Sequence, residues 1–398
     1  MMKAKMKKKL KSHKLTDNGK ATAIVKSGIF EQRTWADFPV ELLELIFSGL
    51  IVADNIRASI VCKRWHSVAT SVRQVNQSPW LMYLPKHGNS YDLYGRMHRK
   101  NYGFYDPRHQ KTYSLEFPQL DRSRVFYTKD GWLLVYQRNT RPRPESFLFF
   151  FFNPFTRELI KLPKEYDHRN SVAVAAFSCA PTSTECVIFT IKNVGSSRVA
   201  ISTCYPGAIE WTTDTYRNCS HFSCGSGTKI VFSNGLFYCL SYQGFLGVFD
   251  PIGCTWTVLE VPPPRSQDSF IDRKGRKGQF MTEHEGNIFV IHMLYMLYPE
   301  GPIIYKLDRT LMEWKDVRTL GGVTVFASFL SSPSRTCITE KMRNSVYFPK
   351  FRVYGKCCMS FSLDEQRYYP NKQLHDWIQP GIIENIWIEP PKDFAGWN

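Results

Sequence analysis

Apolar positions crowd one short stretch of this chain and then change rhythm. Between Pro39 and Leu50, the residues Val40, Leu42, Leu43, Leu45, Ile46, Phe47 and Leu50 cover far more of a helix than the single stripe of a surface element. Asp37 is suited to the N-cap, Pro39 to the first turn, and Glu41 to the positive end of the helix dipole. The pattern predicts a helix from Pro39 to Phe47 that stops near Gly49. A second helix is predicted after Asp54, using Ile56, Ile60 and Val61. A third should carry Trp65, Val68 and Ala69 beyond Cys62-Lys63-Arg64. Three such helices cannot enclose this much apolar surface, so the excess calls for a partner.

From about residue 100 the helical period fades into short runs of Phe, Tyr, Val, Ile and Trp, separated by Gly, Pro, Asn and Asp, as many antiparallel strands require. A loose unit recurs at Phe104-Tyr105-Asp106-Pro107, Phe152-Asn153-Pro154, Cys204-Tyr205-Pro206, Phe249-Asp250-Pro251, Leu307-Asp308-Arg309 and Leu363-Asp364-Glu365. Asp or Asn can bond the backbone ahead of it while Pro sets the next φ, which reverses the chain. The intervals of 47, 51, 46, 58 and 56 residues between these turns match a four-stranded blade. Six copies predict a six-bladed β-propeller, with seven blades if a divergent one is hidden and a pair of stacked sheets as the alternative. The copy at Cys204 departs most from the unit, and the blade count turns on it. Trp211, Trp256 and Trp314 follow three of the turns and are expected to pack between blades. Gly131-Trp132, Asn234-Gly235 and Gly286-Asn287 are expected to open the inner strands.

Two resemblances sharpen this outline. Trp35-x2-Phe38-Pro39-x-Glu41-Leu42-Leu43-x2-Ile46, then Asp54-x2-Arg57 and Val61-Cys62-Lys63-x-Trp65, resembles the F-box motif, with Phe38 standing where Leu is commoner. That resemblance implies docking on an SKP-family adaptor and, through it, a cullin. It places Pro39, Leu42, Leu43, Ile46, Leu50, Val61, Cys62, Lys63 and Trp65 on the adaptor surface. Gly131-Trp132-Leu133-Leu134, Asn153-Pro154-Phe155-Thr156-Arg157-x-Leu159-Ile160-x-Leu162-Pro163 and Trp387-Ile388-Glu389-Pro390-Pro391 resemble the plant F-box family whose C-terminal half is a kelch-like β-propeller. The expected fold is α+β multidomain: a basic tail over 1–32, a small all-α F-box over 33–78, a linker over 79–100 and an all-β propeller over 101–398. The expected function is the substrate-recognition subunit of an SCF-type ubiquitin ligase, the propeller binding a target protein.

Charge and candidate chemistry change little. The formal net charge is +17, but residues 1–28 hold nine Lys against one Asp, and the body is only mildly basic. The Lys-rich start reads as a solvated tail or a nuclear-import signal. Nucleic acid is not an expected partner, and no membrane partner is expected, since Phe147–Phe152 is far too short to span a bilayer. No secretory signal is evident, so the protein is expected to be soluble and nuclear and/or cytoplasmic. Eleven Cys without paired Cys-x-x-Cys spacing point to reduced thiols. Cys219, His221 and Cys224 lack a fourth ligand, so no metal or other cofactor is expected.

No hydrolase elbow or phosphate loop is present, and Glu283 and Glu285 read as exposed turn residues. The expectation is therefore a non-catalytic receptor. The alternatives are an F-box protein working outside a ligase, or a propeller that is an enzyme or small-ligand sensor. A cluster of buried acidic and His residues at the propeller axis would favour the last.

Overall fold

The fold was analysed in a computed structural model, which describes residues 38–50, 52–75, 78–83, 101–121, 123–139, 146–165, 174–218, 222–225, 227–264, 278–293, 301–336, 338–352, 357–370 and 385–391. Asp37, the basic tail, Cys219 and His221 lie outside them.

Three helices come first: α1 (Val40–Gly49), α2 (Val52–Ser59) and α3 (Lys63–Val75). Pro39 is the N-cap of α1 rather than part of its first turn, and its carbonyl accepts the Leu43 N–H at 3.1 Å. Leu43 and Phe47, one turn apart, pack with Val68, Ala69 and Val72 of α3, and Leu50 and Trp65 close the edges of that small core.

The strands form six sheets around an axis. Blade II is β4 (Ser123–Lys129), β5 (Trp132–Asn139), β6 (Ser146–Phe152) and β7 (Leu159–Glu165), and blade III is β8 (Val174–Phe177), β9 (Ile188–Val194), β10 (Arg198–Cys204) and β11 (Thr212–Arg217). Blade IV is β12 (Lys229–Ser233), β13 (Leu236–Leu240), β14 (Leu246–Asp250) and β15 (Thr255–Val258); blade V is β16 (Gly278–His284), β17 (Asn287–Met293), β18 (Ile303–Asp308) and β19 (Glu313–Asp316). Each of these is an antiparallel meander in chain order.

Blade VI is the irregular one. Here β20 (Thr324–Phe326) runs parallel to β22 (Ser345–Arg352), and the two residues of β21 (Ser334–Arg335) form the inner edge, ahead of β23 (Cys357–Ser362) and β24 (Arg367–Tyr369). The departure expected at Cys204 leaves blade III regular. Its turn is closed by a backbone bond, Ala208 N–H to the Tyr205 carbonyl at 3.0 Å, so no side-chain acceptor is needed.

Blade I joins the two ends of the propeller. It consists of β1 (Trp80–Tyr83), β2 (Asn101–Asp106) and β3 (Lys111–Glu116), with the last of the described strands, β25 (Ile386–Ile388), as its inner strand. The register pairs Trp80 with Ile388 and Leu81 with Trp387. Trp80–Tyr83 thus belongs to the propeller, although the sequence placed it in a linker.

Two kinds of turn repeat around one face. Between the third and fourth strands, the Arg108, Phe155, Ile252 and Thr310 N–H groups each donate to the Asp or Asn two residues earlier at 2.9 Å. Between the first and second strands, Asp130-Gly131, Asn234-Gly235 and Glu285-Gly286 all have positive φ, the two-residue turn that suits the twist of a hairpin. The strands after these turns are second strands, not inner ones. The inner strands precede the turns, because β25, β4, β8, β12, β16 and β21 lie against one another around the axis.

The core fills the spaces between blades. Trp211 donates its indole N–H to the Pro163 carbonyl of blade II at 2.9 Å and lies 5.5 Å from Phe149. Trp256 packs 5.1 Å from Phe222 and so close over Gly247 that a Cβ there would meet its ring at 2.1 Å. Trp314 packs against the cluster formed by Leu240, Met281 and Ile288 of blades IV and V.

Candidate functional site

Two regions carry candidate function: the outer surface of the helices and the axis of the propeller. On α1 the apolar residues divide between opposite faces. Leu43, at 1% exposure, and Phe47 point into the helical core, whereas Leu42, Leu45 and Ile46 are exposed, Leu45 at 70%. The α2–α3 corner exposes Ile60 at 81% and Val61 at 63%. Among the described residues, the exposed large apolar side chains outside the helices are Leu159, Tyr205, Ile209, Ile252 and Leu311, on or beside the turns between third and fourth strands.

The nine residues expected on the adaptor surface therefore divide. Pro39, Leu42, Ile46, Val61 and Lys63 are exposed. Leu43 is core, so its expected place on the surface is corrected: i, i+4 spacing sets it with Phe47 against α3. Leu50 is half-buried beside that core. Trp65 lies edge-on to Phe47 with ring centroids 5.2 Å apart. Cys62 caps α3, its Sγ accepting the Trp65 N–H at 3.4 Å, so its thiol serves the helix end. The sequence reading missed Leu45 and Ile60 as surface residues; the helical period of α1 turns Leu45 away from Leu43 and Phe47, whereas Ile60 lies in the turn between α2 and α3, where no period marks it.

The helices meet the propeller at the first of the repeated turns. The Arg108 guanidinium donates to the carbonyl of Ser48, in the last turn of α1. A cation there complements the negative end of the helix.

At the axis, on the face of the tight turns, the ends of the inner strands surround a cavity of about 490 Å³. Lys129 and Asp130 come from the end of β4, Phe232 from β12, Glu283 and His284 from the end of β16, Ser334 and Arg335 from β21, and Glu389 from just beyond β25. Glu283 is therefore part of a cavity wall, although the sequence read it as an exposed turn residue; Glu285 is exposed as expected. The approach is close enough that a Cβ on Gly131 would meet the Glu389 carbonyl at 2.8 Å, and Gly131 also needs its φ of +81°.

The polar groups of the wall are tightly paired. Arg335 forms an ion pair with Glu389, whose other oxygen accepts the Asp130 N–H at 2.8 Å. Glu283 accepts the Gly286 N–H at 2.7 Å. Burial, then the neighbouring Glu389, raise the pKa of the Asp130 carboxyl above the usual carboxylate value. His284 Nδ1 lies 2.9 Å from Ser334 Oγ, and Ser334 donates its one proton to the Glu283 carbonyl at 2.8 Å. The imidazole must then be the donor to Ser334, which rules it out as the base that would activate that hydroxyl. No group of three or more His, Cys, Asp or Glu among the described residues could hold a metal ion.

A helical docking module with an exposed apolar face, joined to a closed six-bladed propeller, defines an F-box protein of the substrate-receptor type. Residues 35–74 match the F-box-like family and residues 104–372 match the KIB1-4 beta-propeller family. The chain belongs to the KIB1-4 beta-propeller family, among plant F-box proteins. F-box protein At3g56470 of Arabidopsis thaliana is 39% identical over 90% of this chain and 89% of its own length. F-box/kelch-repeat protein At1g57790, also of Arabidopsis thaliana, is 42% identical over 90% of this chain and 95% of its own. The solved structure of YjhT matches 67% of this chain and 86% of its own at TM-score 0.34 and 10% identity.

Proposed function

We propose that this chain is the substrate-recognition subunit of an SCF-type E3 ubiquitin ligase, acting in the nucleus and/or cytoplasm. The observation that carries the reading is the division of α1: Leu43 and Phe47 satisfy the module's own core, and Leu42, Leu45 and Ile46 remain outside it. An F-box of this kind is suited to an SKP-type adaptor, and through it to a cullin. The propeller holds the target and raises its effective concentration near the charged enzyme. Among the described residues, the groups around the axis offer no nucleophile with a base, which supports a receptor over an enzyme.

The test is co-purification of the full chain with an SKP-family adaptor. Leu42→Asp with Ile46→Asp puts two carboxylates into the proposed interface and should abolish capture while the thermal unfolding of the propeller is unchanged. Capture at the wild-type level would overturn the reading. Leu43→Asp is the wrong probe, because it unfolds the helices whatever they bind.

The axial cavity supports a second reading, in which the propeller also senses a ligand. Its walls bring carboxylates and an imidazole together, the arrangement that favours that alternative.

A further inference from the structure

The helices are attached to the propeller at two places, both on blade I. The first is covalent: α3 ends at Val75, and residues 76–79 lead from it into β1, which begins at Trp80. Trp80 is buried and stacked on Tyr113, with ring centroids 5.1 Å apart and planes at 7°, so the receiving strand is firmly packed. A single chain crossing fixes a distance and leaves one domain free to swing about it, which is the default where the interface is small. The second place is non-covalent: Arg108, in the β2–β3 turn, donates to the Ser48 carbonyl at the end of α1.

The turn holds Arg108 in place. Asp106 is buried and accepts the Arg108 N–H at 2.9 Å and the His109 N–H at 3.3 Å, and its other oxygen lies 2.5 Å from His109 Nδ1. The same position in the turns of blades II, IV and V carries Phe155, Ile252 and Thr310, none of them charged. On the helix side, the Leu45 carbonyl accepts the Ser48 hydroxyl at 2.8 Å and the Phe47 carbonyl accepts the Leu50 N–H at 3.2 Å, both from within the module. The Ser48 carbonyl, in the last turn of α1, takes its donor from the propeller instead. A guanidinium there is favoured both by the charge-assisted bond and by the negative end of the helix, and Arg108 is half-buried, which shields the contact from salt. Leu43 and Phe47 pack α1 onto Val68, Ala69 and Val72 of α3, so a hold on α1 is a hold on the whole module.

We infer that Arg108 is a positioning residue, a latch that fixes the helical module against blade I and sets one direction between the apolar face of α1 and the propeller. The exposed Leu42, Leu45 and Ile46 stand on the helix that Arg108 grips, so whatever docks on them meets the propeller at a set angle. In the receptor reading above, on which this consequence rests, the latch aims a bound target at the charged enzyme. The latch itself is a property of the chain alone.

The experiment is time-resolved energy transfer within the full chain, with dyes coupled to p-acetylphenylalanine at Ser67, exposed on α3, and at Asp214, exposed on β11 of blade III. The wild-type chain should show one narrow distance distribution. Arg108→Met keeps the apolar stem and removes the donors, and its distribution should be at least roughly twofold broader. Arg108→Lys keeps a cation and a donor and should restore most of the narrowing, which a role in packing alone would not predict. A second dye pair within the propeller, at Asp214 and at the exposed Glu313 of blade V, should be unmoved in every variant, which separates lost orientation from a loosened fold. A wild-type distribution as broad as that of Arg108→Met, an Arg108→Lys distribution equally broad, or the same broadening in the second pair would overturn the inference. No adaptor is present in this measurement, so its outcome is read independently of capture by the helices.

Discussion

Single residues decide more here through what surrounds them than through their type. Leu42 and Leu43 are neighbours in sequence, yet one is exposed and the other is core, because successive helical positions are turned about 100° apart. Cys62 is a helix cap where a thiol is an unusual choice. Lys229 is the sharpest case. It lies on the inner strand β12 and is buried, with its Nζ 3.0 Å from the Phe329 carbonyl and 4.8 Å from the centre of the Phe329 ring. Burial pulls its pKa down to about 7 from the ordinary 10.5. Because the native state gives up this proton first, the unfolded state binds more protons between those two values, and stability rises with pH across that window. Against Lys229→Met, wild-type unfolding free energy should gain about 2–3 kcal/mol from pH 6 to pH 9, read by urea denaturation at each pH. A parallel pH dependence in the two proteins would refute the assignment.

At the scale of elements, the repeated turn is the unit that the sequence announces. In blade IV, Asp250 Oδ1 accepts the Ile252 N–H at 2.9 Å, and Cys254 takes a φ of +49° before β15 begins. Asp250→Ala should destabilise the protein by about 1 kcal/mol, and Asp250→Asn, which keeps the acceptor, by much less, both measured by chemical denaturation. These turns were legible because they depend on local bonds within four residues. Blade III shows the limit: with Cys204 in the Asp position, a backbone bond from Ala208 closes the same reversal. The second strands also misled, since a Gly followed by an apolar run looks alike wherever the strand lies in its sheet. Order within a blade depends on which strand neighbours the next blade, and that contact is remote in sequence.

At the scale of the whole molecule, one strand closes the ring. Trp387 of β25 is fully buried, lies 5.0 Å from Phe326 of blade VI, and sits opposite Leu81 of β1. Trp387→Ala should cost about 3–5 kcal/mol and broaden or split thermal unfolding, because the lost volume lies at the closure. Trp387→Phe should cost less, since the indole N–H has no partner to lose. Differential scanning calorimetry of the two variants checks both outcomes.

What the sequence by itself determined is the local and the periodic: three amphipathic helices with excess apolar surface, six turns at blade spacing, and the F-box residues Pro39 to Trp65. These follow from bonds and periodicities that act over a few residues, so a one-dimensional pattern records them. Tertiary structure alone decided which of Leu42, Leu43 and Ile46 faces outward, that Trp80–Tyr83 is a propeller strand, and that Lys129, Asp130, Glu283, His284, Arg335 and Glu389 meet around one cavity. Those residues lie up to 260 positions apart, from Lys129 to Glu389, and none has neighbours in sequence that mark it as part of a shared cavity. They become a site because the inner strands of different blades end around the same axis, a closeness created only when β25 pairs with β1 and the ring closes.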